Sequence, residues 1–231
     1  LESEKSVEHQ NLLKAESELQ EEKKRIQNER ERLEKEKQKL ASIPKTVTSA
    51  RVPLRAEPQE RLTTDYIKYM VKRYDFFDNN WNISGSFEND FVDNNDGTVT
   101  DRTTGLMWQK SGSSRSRTWG RVKKYVKEVN KNAFAGYSDW RLPTVEELAS
   151  LLERHKSNGR HIDSLFDKRQ ARCWSSDEGP LFGGSGLDPP QAWYVNFLQG
   201  TIGLTIISTH PVIIQAYNPS HHYVRAVRSI K

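Results

Sequence analysis

Apolar residues in the N-terminal part of the chain recur with a seven-residue period. The members of this stripe are Leu12, Leu19, Ile26, Leu33 and Leu40. The spacing is typical of a coiled-coil helix, and residues 1–42 contain no Gly or Pro. Because the flanking heptad positions are mostly charged, the pattern predicts a charged helix with a narrow apolar seam. Two interpretations stay open: a helix that pairs with a copy of itself or docks on an upstream effector, or a solvated single helix acting as a spacer.

The pattern changes twice before the main domain. Residues 43–61 contain three prolines among polar residues, which predicts an extended linker. Residues 62–86 then have helical periodicity followed by an aromatic cluster, and we expect them to form a lead-in segment. Its helical face would comprise Tyr66, Ile67, Met70, Val71 and Tyr74. The compact domain is predicted to begin near Phe87 and to span residues 87–231.

Short apolar runs separated by turn residues predict the strands of this domain. Asp96-Gly97 is typical of a two-residue hairpin turn, and Leu106-Met107-Trp108 follows as a core strand. Further strands are expected at residues 172–175, 191–197 and 223–230, the last with strict alternation.

Two helices are predicted between these strands. One follows Thr118 as its cap and buries an apolar face that ends at Val129. The other follows the turn and extended segment at residues 134–142, where Thr144 and Glu147 have the spacing of a capping box. Helices interspersed with short strands predict an α+β fold.

Composition and charge argue against a nucleic-acid-binding protein and against a membrane-spanning one. Hydrophobic residues make up 34% and charged residues 29% of the chain, and the net charge is +5. The positive excess is small and scattered, so we do not expect nucleic-acid binding. No apolar run approaches the roughly 20 residues that span a bilayer, and no signal peptide is visible. We therefore expect a soluble protein, cytoplasmic rather than exported, without a membrane span.

Five sequence blocks, in order, resemble the bacterial Lcl C-terminal-domain-like family. They are DNNDGTVTDRTTGLMWQ (93–109), AGYSDWRLPTVEEL (135–148), CWSS (173–176), AWYVNF (192–197) and YVRAVRS (223–229). The resemblance implies a C-type lectin-like domain allied to formylglycine-generating enzymes, with two helices flanking a small antiparallel sheet. It implies no single activity, because members that are understood act as ligand-binding modules.

This chain lacks the residues on which the activities of the allied families depend. Formylglycine-generating enzymes use a pair of cysteines, whereas this chain has only Cys173. Calcium-dependent lectins use Glu-Pro-Asn or Gln-Pro-Asp with Trp-Asn-Asp, and none of these occurs. Asp93, Asn95 and Asp96 suit a hairpin turn better than a calcium loop, since Gly97 stands where a ligand is needed. No histidine spacing matches a zinc site. We expect no metal and no cofactor.

The stretch from Pro189 to Val224 contains no Asp, Glu, Lys or Arg. Part of it, residues 201–222, is rich in Ile, Thr, His and Pro. One interpretation is a pair of core strands at 203–207 and 212–215. The other is a partly exposed protein-contact surface. The predicted ligand-binding residues are Thr201, Ile202, Thr205, Ile207, Thr209, His210, Val212, Ile214, Tyr217, Asn218, Ser220, His221 and His222.

The resemblance adds a hypothesis for this stretch. Some C-type lectin-like domains are variable proteins of diversity-generating retroelements, in which adenine-targeted mutagenesis rewrites codons near the C-terminus. Altered Asn codons do not yield Lys, Glu, Gln, Met or Trp, and of residues 201–222 only Gln215 falls outside the permitted set. The hypothesis is a diversified binding face held by a fixed scaffold.

The preferred function is therefore a non-catalytic module that binds a protein ligand. One alternative is an enzyme of the formylglycine-generating lineage with different chemistry, for which His161, Asp163, Cys173 and His210 are the candidate residues. Another is a structural coiled-coil protein with an inert cap.

Overall fold

The computed structural model describes residues 18–32, 51–180, 190–207 and 220–230, together with Lys14 and Lys35. The chain divides into two units, Leu1–Thr48 and Ser49–Lys231. The first contains the charged N-terminal helix and the second contains helices and two antiparallel sheets. The predicted α+β class is therefore confirmed.

The N-terminal helix, α1, is continuous from residue 18 to residue 32. Its side chains are exposed, including Leu19 at 54% and Ile26 at 49%. Gln27 donates a side-chain hydrogen bond of 2.9 Å to Glu31 one turn later. The predicted helix is confirmed over these residues, and the other stripe residues lie outside the described part of the chain.

The lead-in segment belongs to the compact unit. Helix α2 (Thr64–Arg73) is capped by Thr63, whose hydroxyl accepts a hydrogen bond from the Tyr66 amide. Its buried residues Ile67, Met70 and Val71 join the main hydrophobic core. The compact unit therefore begins well before Phe87, because α2 has an apolar face that needs the core to cover it.

The first sheet has the order β1-β2-β3-β7. Its strands are antiparallel and run over Phe91–Asp93, Thr98–Asp101, Leu106–Gln109 and Val227–Ser229. Trp108 and Val99 are fully buried in the main core beneath it. The final strand is shorter than the expected 223–230, because Tyr223 leaves this sheet and pairs with Cys173 instead.

The predicted hairpin between β1 and β2 exists but has a longer turn. Asn94 donates its amide to the Thr98 carbonyl at 3.1 Å, and both Asn95 (φ 59°) and Gly97 (φ 88°) have left-handed backbones. Asp96 accepts a hydrogen bond from the Thr98 amide at 2.9 Å. The backbone bond and the Asp96 side-chain bond together stabilise a wider turn than Asp96-Gly97 alone would form.

Helices α3 (Trp119–Lys131) and α4 (Val145–Ala149) flank a short 3₁₀ turn at Phe134–Gly136. Thr118 is the N-cap residue of α3, yet its side chain makes no capping bond. The predicted capping box of α4 is confirmed, with both the Thr144 and the Glu147 side chains bonded.

The second sheet has the order β4-β5-β6 and is also antiparallel. The strands are Arg172–Glu178, Gln191–Asn196 and Thr201–Ile206. The predicted strands at 172–175, 191–197 and 203–207 are therefore confirmed in position, and 212–215 lies outside the described residues.

The outer edge of β4 is closed along its length. Tyr223 bonds both Arg172 and Trp174, Pro143 accepts from the Ser176 amide, and Gln59 accepts from the Glu178 amide. In the described part of the chain, no strand pairs with the outer edge of β6. The sheet therefore has one edge covered by the chain's own backbone and another where β6 is the last strand.

Candidate functional site

The edge strand β6 has two unlike faces. Ile202 pairs with Val195 and points into the main core, where it is 3% exposed. Thr201, Gly203 and Thr205 alternate with it and are half-buried on the opposite face. A Cβ atom at Gly203 would lie 2.5 Å from the Tyr194 ring, so a larger residue there would require that ring to move.

The structure places some of the predicted site residues close together at the surface and buries others in the interior. Thr205 and Ser220 share a hydroxyl hydrogen bond of 2.7 Å. Ile207 is half-buried, and His221 is exposed. Ile202 and His222 are buried, so both are corrected from contact residues to interior residues. The remaining predicted residues lie outside the described part of the chain: Thr209, His210, Val212, Ile214, Tyr217 and Asn218.

Four rings gather on the face of the second sheet that carries Thr205. The His222 ring lies 4.2 Å from Trp174 and 4.3 Å from Tyr194, centroid to centroid. Trp119, at the start of α3, meets Trp174 edge to face at 5.5 Å. We call Trp119, Trp174, Tyr194 and His222 the aromatic cluster. Trp119 and Tyr194 are half-buried, so the cluster has a solvent-facing side.

His222 is held as a neutral ring with one unused acceptor. Its Nδ1 lies 2.8 Å from the His221 carbonyl and can donate a proton to it. Burial lowers the pKa of His222 to about 4. Nε2 is buried and has no hydrogen-bond partner within the described residues. A neutral imidazole bonded in this way presents a bare lone pair at Nε2.

Backbone bonds at Arg117 fix the cluster in place. Arg117 and His222 exchange two backbone hydrogen bonds, of 2.8 and 3.1 Å, and the Arg117 carbonyl accepts from the Trp174 indole at 2.8 Å. The Arg117 guanidinium lies 5.1 Å from the centroid of the Tyr125 ring. The cluster therefore joins the start of α3 to β4, β5 and the segment before β7.

Sequence reasoning did not identify this cluster. Its members come from four separate stretches of the chain, which only the folded backbone brings together. The available signal was the alternation in Gln191–Asn196, which places Tyr194 on the face opposite Trp193 and Val195. Trp193 and Val195 lie in the main core, whereas Tyr194 packs against the smaller cluster around Trp174.

Three strand ends lie close together at one end of the second sheet. Glu178 pairs with Ala192, and Gln191 pairs with Ile206. The Ile207 amide also donates to the Pro190 carbonyl at 2.8 Å. The end of β4, the start of β5 and the end of β6 thus meet at one end of the second sheet, which we call the rim.

A cavity of about 390 Å³ opens beside this rim. Trp119, Val122 and Leu142 give it an apolar wall, and Ser176 and Glu178 line it from β4. Residues 56–60, Lys123 and Arg141 complete its lining. Trp119 therefore contacts both the cavity and the aromatic cluster.

An ion-pair network holds this wall. Arg55 binds the buried Asp177 carboxylate through two hydrogen bonds of 2.8 and 2.9 Å, and its Nε lies 3.4 Å from Glu146. Asp177 also accepts the Gln59 amide at 2.7 Å. Burial opposes the charge of Arg55, but Asp177 and Glu146 outweigh it and raise its pKa. Residues 51–61, predicted as a linker, are thus fastened to the compact unit.

The residues considered for an enzyme have structural contacts. Cys173 is fully buried, and burial raises the pKa of its thiol to about 11. His161 stacks on Phe77 at 5.1 Å, and its Nδ1 lies 2.8 Å from the Glu153 carbonyl. Asp163 accepts the Leu165 amide at 2.7 Å, and His210 is outside the described residues. Among the residues described, no three His, Cys, Asp or Glu side chains form a metal-binding group.

Comparison with protein families decides the relationship suggested by the sequence blocks. A model of the Lcl C-terminal domain matches residues 97–228. The chain belongs to the Lcl C-terminal domain family. No curated protein and no solved structure matches the chain.

The compact unit extends beyond the region that matches the family model. The matched region contains β3, the aromatic cluster and the strand ends at the rim. Helix α2, Arg55 and Asp78 come before it, yet all three belong to the same compact unit. No helix among the described residues is long and apolar enough to cross a membrane.

Proposed function

We propose that this Lcl C-terminal domain is a non-catalytic module that binds a protein ligand at the rim of its second sheet. The observation that carries the proposal is the coincidence of two features. The stretch without charged residues, Pro189 to Val224, supplies both the edge strand β6 and the Tyr194 and His222 rings. Uncharged surface beside half-buried aromatic rings is typical of the centre of a protein interface.

The contact residues proposed at the rim within the described chain are Thr205, Ile207, Ser220 and His221, whereas Thr201 lies beside the β5–β6 turn at the other end of β6. To these we add the half-buried rings Trp119 and Tyr194. Tyr and Trp contribute large contact areas at low entropic cost, and both are enriched among residues that dominate binding energy. Ile202 lies in the core, so its proposed role is to anchor β6 by packing and not to contact the ligand.

A C-type lectin-like architecture is the fold that we propose for the domain. Helices α2, α3 and α4 accompany two small antiparallel sheets, and the last strand, β7, lies beside β3. The start of the compact unit also meets its end, since the Arg51 side chain donates to the Ile230 carbonyl at 3.1 Å. These contacts lie away from the rim, so the fold they stabilise does not depend on which residues the rim carries.

Diversification of this face by a retroelement is part of the proposal. The permitted residue set fits the exposed positions of the rim, and the buried Ile202 and His222 would be constrained by packing. The test is genomic. A near-identical template repeat beside the gene, differing at adenines, is expected, and its absence would remove diversification while leaving ligand binding in place.

The absence of catalysis is proposed on the placement of Cys173. A thiolate is the reactive form of cysteine, and a fully buried thiol with a raised pKa does not supply one at neutral pH. The enzyme alternative would therefore need a nucleophile elsewhere in the chain.

Ligand binding at the rim can be tested by substituting arginine for a single rim residue. Ile207→Arg places a charge at the rim, whereas Leu198→Arg places it in the β5–β6 turn at the other end of the sheet; Leu198 is 41% exposed. Each variant and the parent chain would carry a photo-crosslinking residue at position 205. We expect the same protein to be crosslinked by the parent and by Leu198→Arg, and lost in Ile207→Arg. Equal capture by all three chains would contradict the proposal.

The N-terminal helix is proposed to join copies of the chain through a coiled coil. Leu19 and Ile26 are exposed on α1, and exposed leucine and isoleucine at a seven-residue spacing are buried when such helices pair. Two joined domains would bind a repeated ligand more tightly than one domain, provided that both can engage together.

A further inference from the structure

A second cavity, of about 370 Å³, lies between helix α3 and the end of β3. Tyr125, Glu128 and Val129 line it from the helix, and Gln109 lines it from the strand. Arg117, which precedes the helix, also contributes to the lining. None of these five residues belongs to the rim, so the cavity is a separate feature of the compact unit.

Arg117 brings a positive charge to this cavity without a matching carboxylate. Its guanidinium carbon lies 5.1 Å from the centroid of the Tyr125 ring, which also lines the cavity. The Nε atom of Arg117 is buried and has no hydrogen-bond partner among the described residues. Across the same residues, its guanidinium forms no ion pair. A buried donor without an acceptor is costly, so the cavity favours a ligand that supplies one.

The Gln109 side chain adds a second donor. It is 4% exposed, and its Oε1 accepts hydrogen bonds from the Ala226 amide and from the Tyr125 hydroxyl, each of 3.1 Å. Because a backbone N–H can only donate, the bond from Ala226 determines which end of the Gln109 side chain is the oxygen. The Nε2 end is therefore a donor and, like the Arg117 guanidinium, requires an acceptor.

A second guanidinium adds to the positive potential at this cavity. Arg225 is fully buried and donates to the Gln109 backbone carbonyl at 2.7 Å. Both cations act on Tyr125: burial raises the pKa of its hydroxyl, whereas the Gln109 hydrogen bond and the charges of Arg117 and Arg225 oppose the rise. Charges interact strongly where water is partly excluded, so the cavity favours an anionic group.

The other lining residues limit the charge and the body of such a ligand. Glu128 is exposed and adds a negative charge to the lining, which disfavours a ligand with several negative charges. Val129, at 8% exposure, and the half-buried Phe134 supply apolar surface. These features together favour a single carboxylate attached to a small apolar body.

We propose that this cavity binds a small apolar monocarboxylate. Its carboxylate accepts hydrogen bonds from the Arg117 guanidinium and from Gln109 Nε2. Its apolar body packs on Val129 and Phe134. The site is independent of the rim, although the Arg117 backbone also holds the aromatic cluster in place.

Titration of the full-length chain with simple acids tests the site. The probes are acetate, 4-methylpentanoate and phenylacetate, each paired with its neutral amide, and the readout is the chemical shift of the backbone amides. We expect the two larger acids to shift the amides of residues 109–112 and 125–132 in a saturable way, and their neutral amides to have no such effect. Equal binding of acids and amides, or no binding by any of the acids, would overturn the proposal. So would inorganic phosphate that binds more tightly than every acid.

Three substitutions test the residues. Arg117→Gln should weaken binding of the acids by about tenfold or more, because it replaces a charge-assisted bond with a neutral one. Arg115→Gln, at an exposed position in the same loop, is the matched control and should bind as the parent chain does. Glu128→Gln should bind the acids about twofold more tightly, since it removes a like charge.

The gain expected for Glu128→Gln cannot result from a loss of folding. Unchanged binding in Arg117→Gln, or weaker binding in Glu128→Gln, would contradict the proposed site. Because no protein ligand is present in these titrations, their failure would leave the rim proposal untouched.

Discussion

The Asp78 carboxylate accepts a hydrogen bond of 2.8 Å from the backbone amide of Ile202. It also accepts from the amides of Asn80 and Trp81, at 2.8 and 3.0 Å. A side chain of the lead-in segment therefore binds the backbone at the start of the edge strand β6, 124 positions away in the chain. The outer edge of β6 begins with its leading amide already satisfied by a buried carboxylate.

Removing this carboxylate should loosen β6 before the rest of the domain. Asp78→Ala leaves three amides without their acceptor, and each unsatisfied buried group costs about 1–3 kcal/mol. We expect the free energy of unfolding to fall by about 3 kcal/mol. Faster hydrogen exchange should be concentrated at residues 201–206. The control is Asp65→Ala, which removes only an exposed pair with Lys68 at 3.5 Å and should cost under about 0.5 kcal/mol. Uniform faster exchange throughout the domain would contradict a local role.

Arg55 should be needed to keep the wall of the cavity in place. Arg55→Ala leaves the buried Asp177 and Glu146 carboxylates without their cation, and breaking such a buried pair costs about 3–5 kcal/mol. We expect a loss of this size in urea unfolding, together with earlier proteolysis within residues 51–61. Arg121→Ala, at an exposed position on α3, is the matched control. A loss of less than about 1 kcal/mol for Arg55→Ala would show that the network is only a surface feature.

The stability of the domain should depend on pH through His222. Burial lowers the pKa of His222 from 6.5 to about 4; the hydrogen bond to the His221 carbonyl opposes this shift, whereas the charges of Arg172 and His221 add to it. Between these two pH values the unfolded chain binds a proton that the folded chain does not. Stability is therefore fully present above pH 6.5 and is lost progressively as the pH falls towards 4.

The measurement is the free energy of unfolding across this range. His222→Phe keeps an aromatic ring but cannot titrate, so it should lose part of the slope below pH 6.5. His155→Phe, at an exposed position, should keep the slope of the parent chain. If His222→Phe and the parent had the same slope, the ring would be solvated rather than enclosed by Trp174 and Tyr194.

Cys173 should be unreactive until the domain unfolds. The thiol is fully buried, and burial raises its pKa to about 11, so little thiolate forms at pH 8. We expect iodoacetamide to modify the native chain far more slowly than the urea-unfolded chain. A Cys173→Ser variant with Leu198→Cys supplies an exposed thiol for comparison. Rapid modification of native Cys173 would reopen the enzyme alternative.

Local features of the fold were predictable from sequence, whereas the site was not. Thr144 and Glu147 are three residues apart, so their capping box follows from spacing alone. Strand β5 follows from apolar and polar alternation in the same way, whereas β6 was only one of two interpretations of the uncharged stretch. The contact of Trp174 with His222 depends on where two distant segments cross, and no local pattern encodes that crossing.

Burial within the uncharged stretch shows the same limit. Composition indicates that residues 201–222 differ from the rest of the chain, but it does not say which side chains face inward. The pleat of β6 decides that Ile202 points into the core and Thr205 points away. The start of the compact unit near Ser49 was missed for a related reason, because prolines predict an extended backbone whether or not it is anchored.

The closed edge of β4 limits how copies of this domain can associate through their sheets. A fibre built by edge-to-edge strand pairing requires each molecule to offer two open edges. Tyr223, Pro143 and Gln59 already bond the backbone of β4, so pairing of the second sheet between molecules has only the β6 side to use. Two molecules joined there would satisfy each other and end the series, so strand pairing through this sheet stops at a dimer and does not lead to a fibre.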